Sequence, residues 1–350
     1  MPYAVVLEAI GTLETGQFWP CGNSDGDTVK MTAQRFRYRR SGQAGWKSSK
    51  VLWKAKVKGK GKPKRIVSDA GVLTIRLQGI DAPELHYPTS TLAVIKKDDQ
   101  TQAQRRKFLE VNDNYRQCYG KTAAQQLHNL LAGSSKATLR CIFRTKVDEP
   151  NDICDVYGRF VGDVIVQLGG KQININQWML EVGHAFPAFY NSLEADEIEA
   201  LIGLSKKGRQ KAKSVWQCYK NNANDFSVFD FNEVHDKSDR EPEATAADCK
   251  ALLPKFFRRF AAYQVNFASG MFGGTFADYV VQHAKQDQYF DTKEFVDEGP
   301  LAALARGLSA LFDTAQFHST QVLAMRPEDM VFREASSTLI DNNNQPVTKW

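Results

Sequence analysis

Apolar and polar residues alternate with a period of two over Thr28-Val29-Lys30-Met31 and over Val72-Leu73-Thr74-Ile75-Arg76-Leu77. That is the pattern of strands with one face in a core. The first run follows a turn at Ser24-Asp25-Gly26-Asp27, and the second runs toward Asp81-Ala82-Pro83-Glu84, so that its strand is expected to end near Asp81. Ala137 to Phe143 and Phe160 to Val166 read as further strands, and Lys121 to Ala132, Ile173 to Val182 and Glu194 to Trp216 as helices. Beyond Trp216 the polar, acidic stretch around Glu241-Pro242-Glu243 reads as a linker. After it, helical patterns lie around Leu252 to Phe267, Phe276 to His283 and Leu301 to Phe312, with a strand-like end near Met330 to Leu339. The expected organisation is a first domain over 1–220, a linker over 221–248 and a mainly helical accessory domain over 249–350, its role unknown.

Candidate chemistry sits at the ends of these strands. If the first two pair antiparallel, Asp27 lies beside Asp81, and two carboxylates brought together repel unless a cation neutralises them. Hard divalent cations take such oxygen ligands. Arg76 is placed to reach a phosphate oxygen with its planar fork, and Glu84 remains available as a base for water. Asp155-Val156-Tyr157-Gly158-Arg159 brings a second arginine to a tight turn that opens another strand.

DGDTVK, IRLQGIDAPE and DVYGR occur in this order, with Tyr119-Gly120-Lys121 before the third and Val182-Gly183-His184-Ala185 after it. On these motifs the chain resembles the staphylococcal-type thermonuclease (micrococcal nuclease-like) family from about Val5 to about Trp216, with two insertions. The resemblance implies an α+β fold, a five-stranded OB-type β-barrel with packed helices, a single Ca²⁺, and hydrolysis of DNA and RNA. Carried over by motif, Asp27, Asp81 and the main-chain carbonyl of Ala82 would be metal ligands; the family commonly has Thr at that last position. Glu84 would position or deprotonate the attacking water, Arg76 and Arg159 would hold the phosphate, and Tyr157 would contact a phosphate of the substrate. The activity implied is that of a calcium-dependent, sugar-nonspecific endonuclease. The alternative is a nucleic-acid-binding module of the same fold whose chemistry has lapsed. Retention of Asp27, Asp81, Glu84, Arg76 and Arg159 favours the enzyme.

Charge sharpens this reading. Residues 1–219 carry 33 Lys and Arg against 21 Asp and Glu, whereas residues 220–350 carry 13 against 19. The nuclease-like part is the basic one, suited to a polyanion whose binding weakens with salt. Much of the charge lies in the insertion at about 35–70, where Arg35, Arg37 and Arg39 alternate with Phe36 and Tyr38, and Lys54, Lys56 and Lys58 with Trp53, Ala55 and Val57. This hairpin is expected to project away from the carboxylates and to extend the nucleic-acid footprint, against the alternative of a solvated loop. In the second insertion, Asp98 to Tyr115 is helix-compatible, and Lys96, Lys97, Arg105, Arg106 and Lys107 either face substrate or form ion pairs along a surface helix.

The six cysteines show no C-x-x-C spacing and the six histidines are scattered, which argues against zinc and for reduced, mostly buried thiols. No apolar run has the length to span a bilayer, and Glu8 interrupts the N-terminal apolar run, against a cleavable signal. The reading is a cytoplasmic chain, one exported without a cleaved signal, or one that begins after it. Every group assigned to chemistry lies at or before Arg159, so residues 1–220 are expected to fold and cut alone, with 249–350 serving regulation or a protein partner.

Overall fold

The computed structural model describes residues 4–51, 53–57, 62–88, 100–112, 114–133, 136–211, 215–219, 223–226, 251–283, 287–333, 338–341 and 345–347. Five strands organise the first part: β1 (Val5–Glu14), β2 (Thr28–Arg40), β3 (Val72–Leu77), β4 (Thr138–Val147) and β5 (Phe160–Leu168). β1 pairs with β2 and β4, β4 with β5, β5 in parallel with β3, and β3 with β2, so the pairings return to their start. Alternate side chains enter the space they surround. Leu7 and Ala9, Val29 and Met31, Leu73 and Ile75, Cys141 and Phe143, and Val164 and Val166 are all buried, as period-two strands with one face in a core require.

Helices α1 (Gln102–Val111), α2 (Gly120–Ala132), α3 (Ile175–Val182), α4 (Ala195–Gln210) and α5 (Pro254–Ala268) accompany these strands. The Asn174 side chain caps α3 by accepting from the amides of Asn176 and Gln177. α3 and α4 cross at Gly208, where a Cβ would lie 2.2 Å from the Leu180 carbonyl oxygen. Of the helix expected over Glu194 to Trp216, Ala195–Gln210 is helical, with a turn of helix at Val215–Cys218.

The C-terminal part shares this core. One continuous buried cluster runs from Leu7, Val29 and Phe160 through Phe186 and Phe189 to Phe256, Phe312 and Phe332. Phe189–Tyr190 pairs in parallel with Val331 and Phe332, and Lys54–Lys56 pairs with Thr338–Ile340. Asn224–Asp225, expected in the linker, instead pairs with Val322–Leu323. Phe226 next to it is buried among the rings of Phe260, Phe276, Phe312 and Phe317 at 5.0 to 5.7 Å between centroids. Residues 221–222 and 227–248 of that linker lie outside the described residues. The helix expected over Leu301 to Phe312 is replaced by the short strand Arg306–Gly307 and a 3-10 turn at Leu308–Leu311. Gly299, Pro300 and Gly307 deny that stretch a continuous helix.

Cys118 is disulfide-bonded, which corrects the expectation of reduced thiols for that residue, while Cys141 and Cys154 are buried free thiols. No described helix is long and apolar enough to cross a membrane.

Asp163 on β5 gives a stability prediction. Burial, with Glu197 nearby, pushes its carboxyl up from 3.8 to about 6. The folded chain holds this proton more tightly than the unfolded one, so stability from this group is fullest below 3.8 and declines as pH rises to about 6. Asp163→Asn is expected to raise stability at pH 7 by about 1–2 kcal/mol and to leave it unchanged near pH 3. Urea unfolding at the two pH values measures this; equal shifts at both would remove the assigned cause.

Candidate active site

β2 and β3 run antiparallel with Thr28 opposite Arg76, and the Leu77 amide donates to the Asp27 carbonyl at 2.8 Å. β3 stops at Leu77, and the chain turns at Gly79, whose φ of 77° suits glycine. Ile80–Asp81 then pairs with Phe186–Pro187 rather than prolonging β3. This brings Asp81 beside Asp27, both buried.

The two carboxyls are shifted in opposite directions for physical reasons. Burial raises Asp27, and the Asp81 charge beside it raises it further. Burial acts on Asp81 in the same sense, but the Arg258 and Arg76 guanidinium groups outweigh it and hold Asp81 below the ordinary carboxylate value. Hydrogen bonding with Asp27 adds to this lowering.

Glu84 lies just past Ala82 and Pro83 with its main chain fixed by Gln117. The Glu84 amide donates to Gln117 Oε1 at 3.2 Å, and the Gln117 amide donates to the Glu84 carbonyl at 2.7 Å. Its carboxyl is pushed up to about 7, mainly by burial; Arg258 opposes this, and Asp27 and Asp81 add to it. Ala82 is buried between the two acids in sequence.

Asp25 is a member of this cluster that the sequence reading left out. Its Oδ1 is buried and without a hydrogen-bond partner. Burial first, then the Glu84 and Asp27 charges, raise its carboxyl well above the ordinary value. The signal was present, since a tight D-G-D turn carries two acids to one strand end.

The arginines arrive with their own supports. Arg76 donates to the Tyr190 hydroxyl at 2.8 Å, stacks on that ring with its guanidinium carbon 4.8 Å from the centroid, and lies 3.9 Å from Asp81 Oδ1. Asp155 anchors the second arginine: its carboxylate accepts from the Tyr157 and Arg159 amides at 2.9 and 3.0 Å and from Arg159 Nε at 2.7 Å. Gly158 takes the left-handed conformation in that turn, with φ of 77°. Arg159 also donates to Thr28 Oγ1 at 3.1 Å, next to Asp27. Tyr157 is 59% exposed, open to a ligand at this end of the strands.

Phe186 and Phe189 are fully buried. Tyr190, next in the chain, reaches the site through Arg76.

Arg258, far beyond Arg159 in sequence, also lies among these acids. Carried by α5, it donates through one nitrogen to Asp81 Oδ2 at 3.0 Å and through the other to Glu84 Oε1 and, at 3.4 Å, to Asp81 Oδ1. No motif links it to the acids.

The insertion departs from its expected projection. Ala55, Val57 and Ile66 lie against Gly158, so its second half returns to the turn that carries Arg159. Phe36, Tyr38 and Trp53 pack on the core rather than forming a stacking platform. Arg37 is committed to the fully buried Glu8, donating from Nε at 2.7 Å, with Arg144 donating to the same carboxylate at 2.8 Å. Arg37 and Arg39 also cover the Trp46 ring at 4.3 and 5.2 Å. Arg35, Arg39 and Lys56 are exposed, Lys54 is half-buried, and Lys58 lies outside the described residues. In the second insertion α1 packs against α5 and Gln104 Nε2 donates to the Gly270 carbonyl at 2.7 Å. Arg106 and Lys107 are exposed there, whereas Lys96 and Lys97 lie outside the described residues.

Among the described residues no group of three His, Cys, Asp or Glu side chains is disposed to hold a metal ion. The oxygens nonetheless fit a hard cation in kind. Asp25 has an orphaned buried oxygen, and burial and mutual repulsion raise the Asp25, Asp27 and Glu84 carboxyls, a penalty that the charge of a divalent ion would relieve.

Residues 74–218 match the family described as staphylococcal nuclease homologue. The matched stretch contains Arg76, Asp81, Ala82, Glu84, Tyr157 and Arg159, while Asp25, Asp27 and Arg258 lie outside it. Its fold is α+β and OB-like. No curated protein matches the chain.

Proposed function

We propose that this chain, whose residues 74–218 carry a staphylococcal nuclease homologue segment, is a calcium-dependent, sugar-nonspecific endonuclease that hydrolyses phosphodiester bonds of DNA and RNA. The observation that carries the reading is the convergence of Asp25, Asp27, Asp81 and Glu84 with Arg76 and Arg159 at one end of the β2–β3 pair. The cycle of five strand pairings supports the OB-type barrel within this reading.

Asp27, Asp81 and the Ala82 carbonyl, with Asp25 beside them, would hold the Ca²⁺. When bound, that ion supplies positive charge near the scissile phosphate and neutralises the acids. Glu84 takes a proton from the water that attacks phosphorus; one P–O bond forms as another breaks. A base with a value near 7 is matched to neutral pH. Arg76 and Arg159 face the non-bridging oxygens, where negative charge grows in the transition state, and so lower the barrier more than they tighten ground-state binding. Tyr157 lies where a neighbouring phosphate would pass.

Purified full-length protein is expected to cut plasmid DNA and RNA with Ca²⁺ and to stop on chelation. The second reading, a binding module without chemistry, draws on the engagement of Asp81 and Glu84 by Arg258. Retained binding with no cleavage in any divalent cation would favour it.

Arg35, Arg39 and Lys47, exposed on the hairpin, would extend the footprint. Replacing all three by Ala is expected to raise KM for long DNA and to reduce the salt slope of binding by about 2–3, with kcat on short oligonucleotides unchanged. An unaltered slope would return the hairpin to a solvated face.

A further inference from the structure

The place of Arg258 has a consequence for the site it enters. Its guanidinium faces both oxygens of Asp81 and one of Glu84. α5 is not free to carry this group elsewhere. Gln117, which bonds the Glu84 main chain in both directions, also donates to the Leu252 carbonyl just before α5. The Leu253 amide donates to Asn224 Oδ1 at 2.8 Å, and Phe256, Phe257 and Phe260 are buried on the helix's inner side. The helix origin is thus tied to the Glu84 segment, and Arg258 is held over the acids by the same residue that positions one of them.

A calcium ion sits about 2.3–2.6 Å from its oxygen ligands. Asp81 oxygens faced by guanidinium nitrogens at 3.0 and 3.4 Å leave no place for such an ion between them. We propose that Arg258 is an internal counter-cation that competes with the metal for Asp81 and Glu84, so that the C-terminal part keeps the centre closed until a divalent cation displaces the guanidinium. This rests on the calcium-dependent reading above. The long arginine side chain can swing aside without movement of α5, and its release exposes Glu84 to water. Apparent cation affinity is the intrinsic affinity multiplied by the fraction of molecules in which Arg258 is disengaged.

The test is binding, not turnover. Calcium titration calorimetry of the full chain is expected to give at least tenfold tighter Ca²⁺ binding to Arg258→Met, which keeps the apolar stem, than to wild type. Arg258→Lys, which keeps the charge and loses the fork, is expected to fall between them. In the wild type alone, the side-chain Nε–H signal of Arg258 is expected to move and to exchange faster with solvent as Ca²⁺ is added, a readout that holds even if the Met variant does not fold. Equal or weaker binding by the variants, or an Arg258 signal indifferent to saturating Ca²⁺, would overturn the competition while leaving the metal reading intact. No Ca²⁺ binding by any form would overturn both.

Discussion

Glu84→Gln is expected to lower the cleavage rate by about a hundredfold to ten-thousandfold, the range of a positioned general base, with the fold retained. Two properties of Glu84 make the expectation specific. Its carboxyl is buried, and its value of about 7 means that activity should rise as pH passes through neutrality and the base ionises. That same elevation makes the wild-type charge costly to the fold. The folded chain binds this proton more tightly than the unfolded one, so stability is fullest below the ordinary value of 4.5 and declines as pH rises to about 7. Gln lacks the ionisation but keeps an oxygen for Arg258, so the variant's melting temperature should change less between pH 5 and pH 8 than that of wild type. Arg159→Ala is expected to cost about a hundredfold to a thousandfold in kcat, without this flattening of the pH dependence. Steady-state kinetics and thermal scans at the two pH values test both. Near-normal turnover by a Glu84→Gln protein free of contaminating nuclease would remove Glu84 from the mechanism.

A fragment ending at Tyr219 is expected to lose cooperative folding, the reverse of what charge and motif placement suggest. Cutting there removes Val331 and Phe332 from beside Phe189 and Tyr190, Leu339 from beside Ala55, and the α5 phenylalanines from the common cluster. It also strips Gln117 of its Leu252 partner. Exposing even three large apolar side chains forfeits about 1.5–3 kcal/mol each, comparable with the whole net stability of about 5–15 kcal/mol of a typical domain. Near-ultraviolet circular dichroism and dye binding to exposed apolar surface would report the loss. A fragment with the full chain's aromatic spectrum, a sharp unfolding transition and normal cleavage would restore 1–220 as a self-sufficient unit.

The parts that were legible in the sequence are those encoded by short spacing. Alternation at Val29 and Met31 and at Leu73 and Ile75 specifies strands because the side-chain period of a strand is two. DGDT and GIDAPE specify where those strands end and place Asp27 against Asp81. DVYGR specifies a turn because Gly158 alone of those residues takes φ of 77° without strain. Asp25, two positions from Asp27 in the same turn, was equally legible.

Tertiary structure decided which surface each amphipathic element meets. α5 displays Lys255, Arg258 and Arg259 on one side and Phe256, Phe257 and Phe260 on the other, a pattern that says one face is wet or charged and does not say what lies opposite. Only packing sets that face on Asp81 and Glu84. The hairpin's Phe36 and Tyr38 likewise alternate with arginines whether the partner is a nucleic acid or a core, and the fold chose the core. Periodicity is written locally along the chain, whereas the partner of a face comes from residues more than a hundred positions away, and no local pattern carries that address.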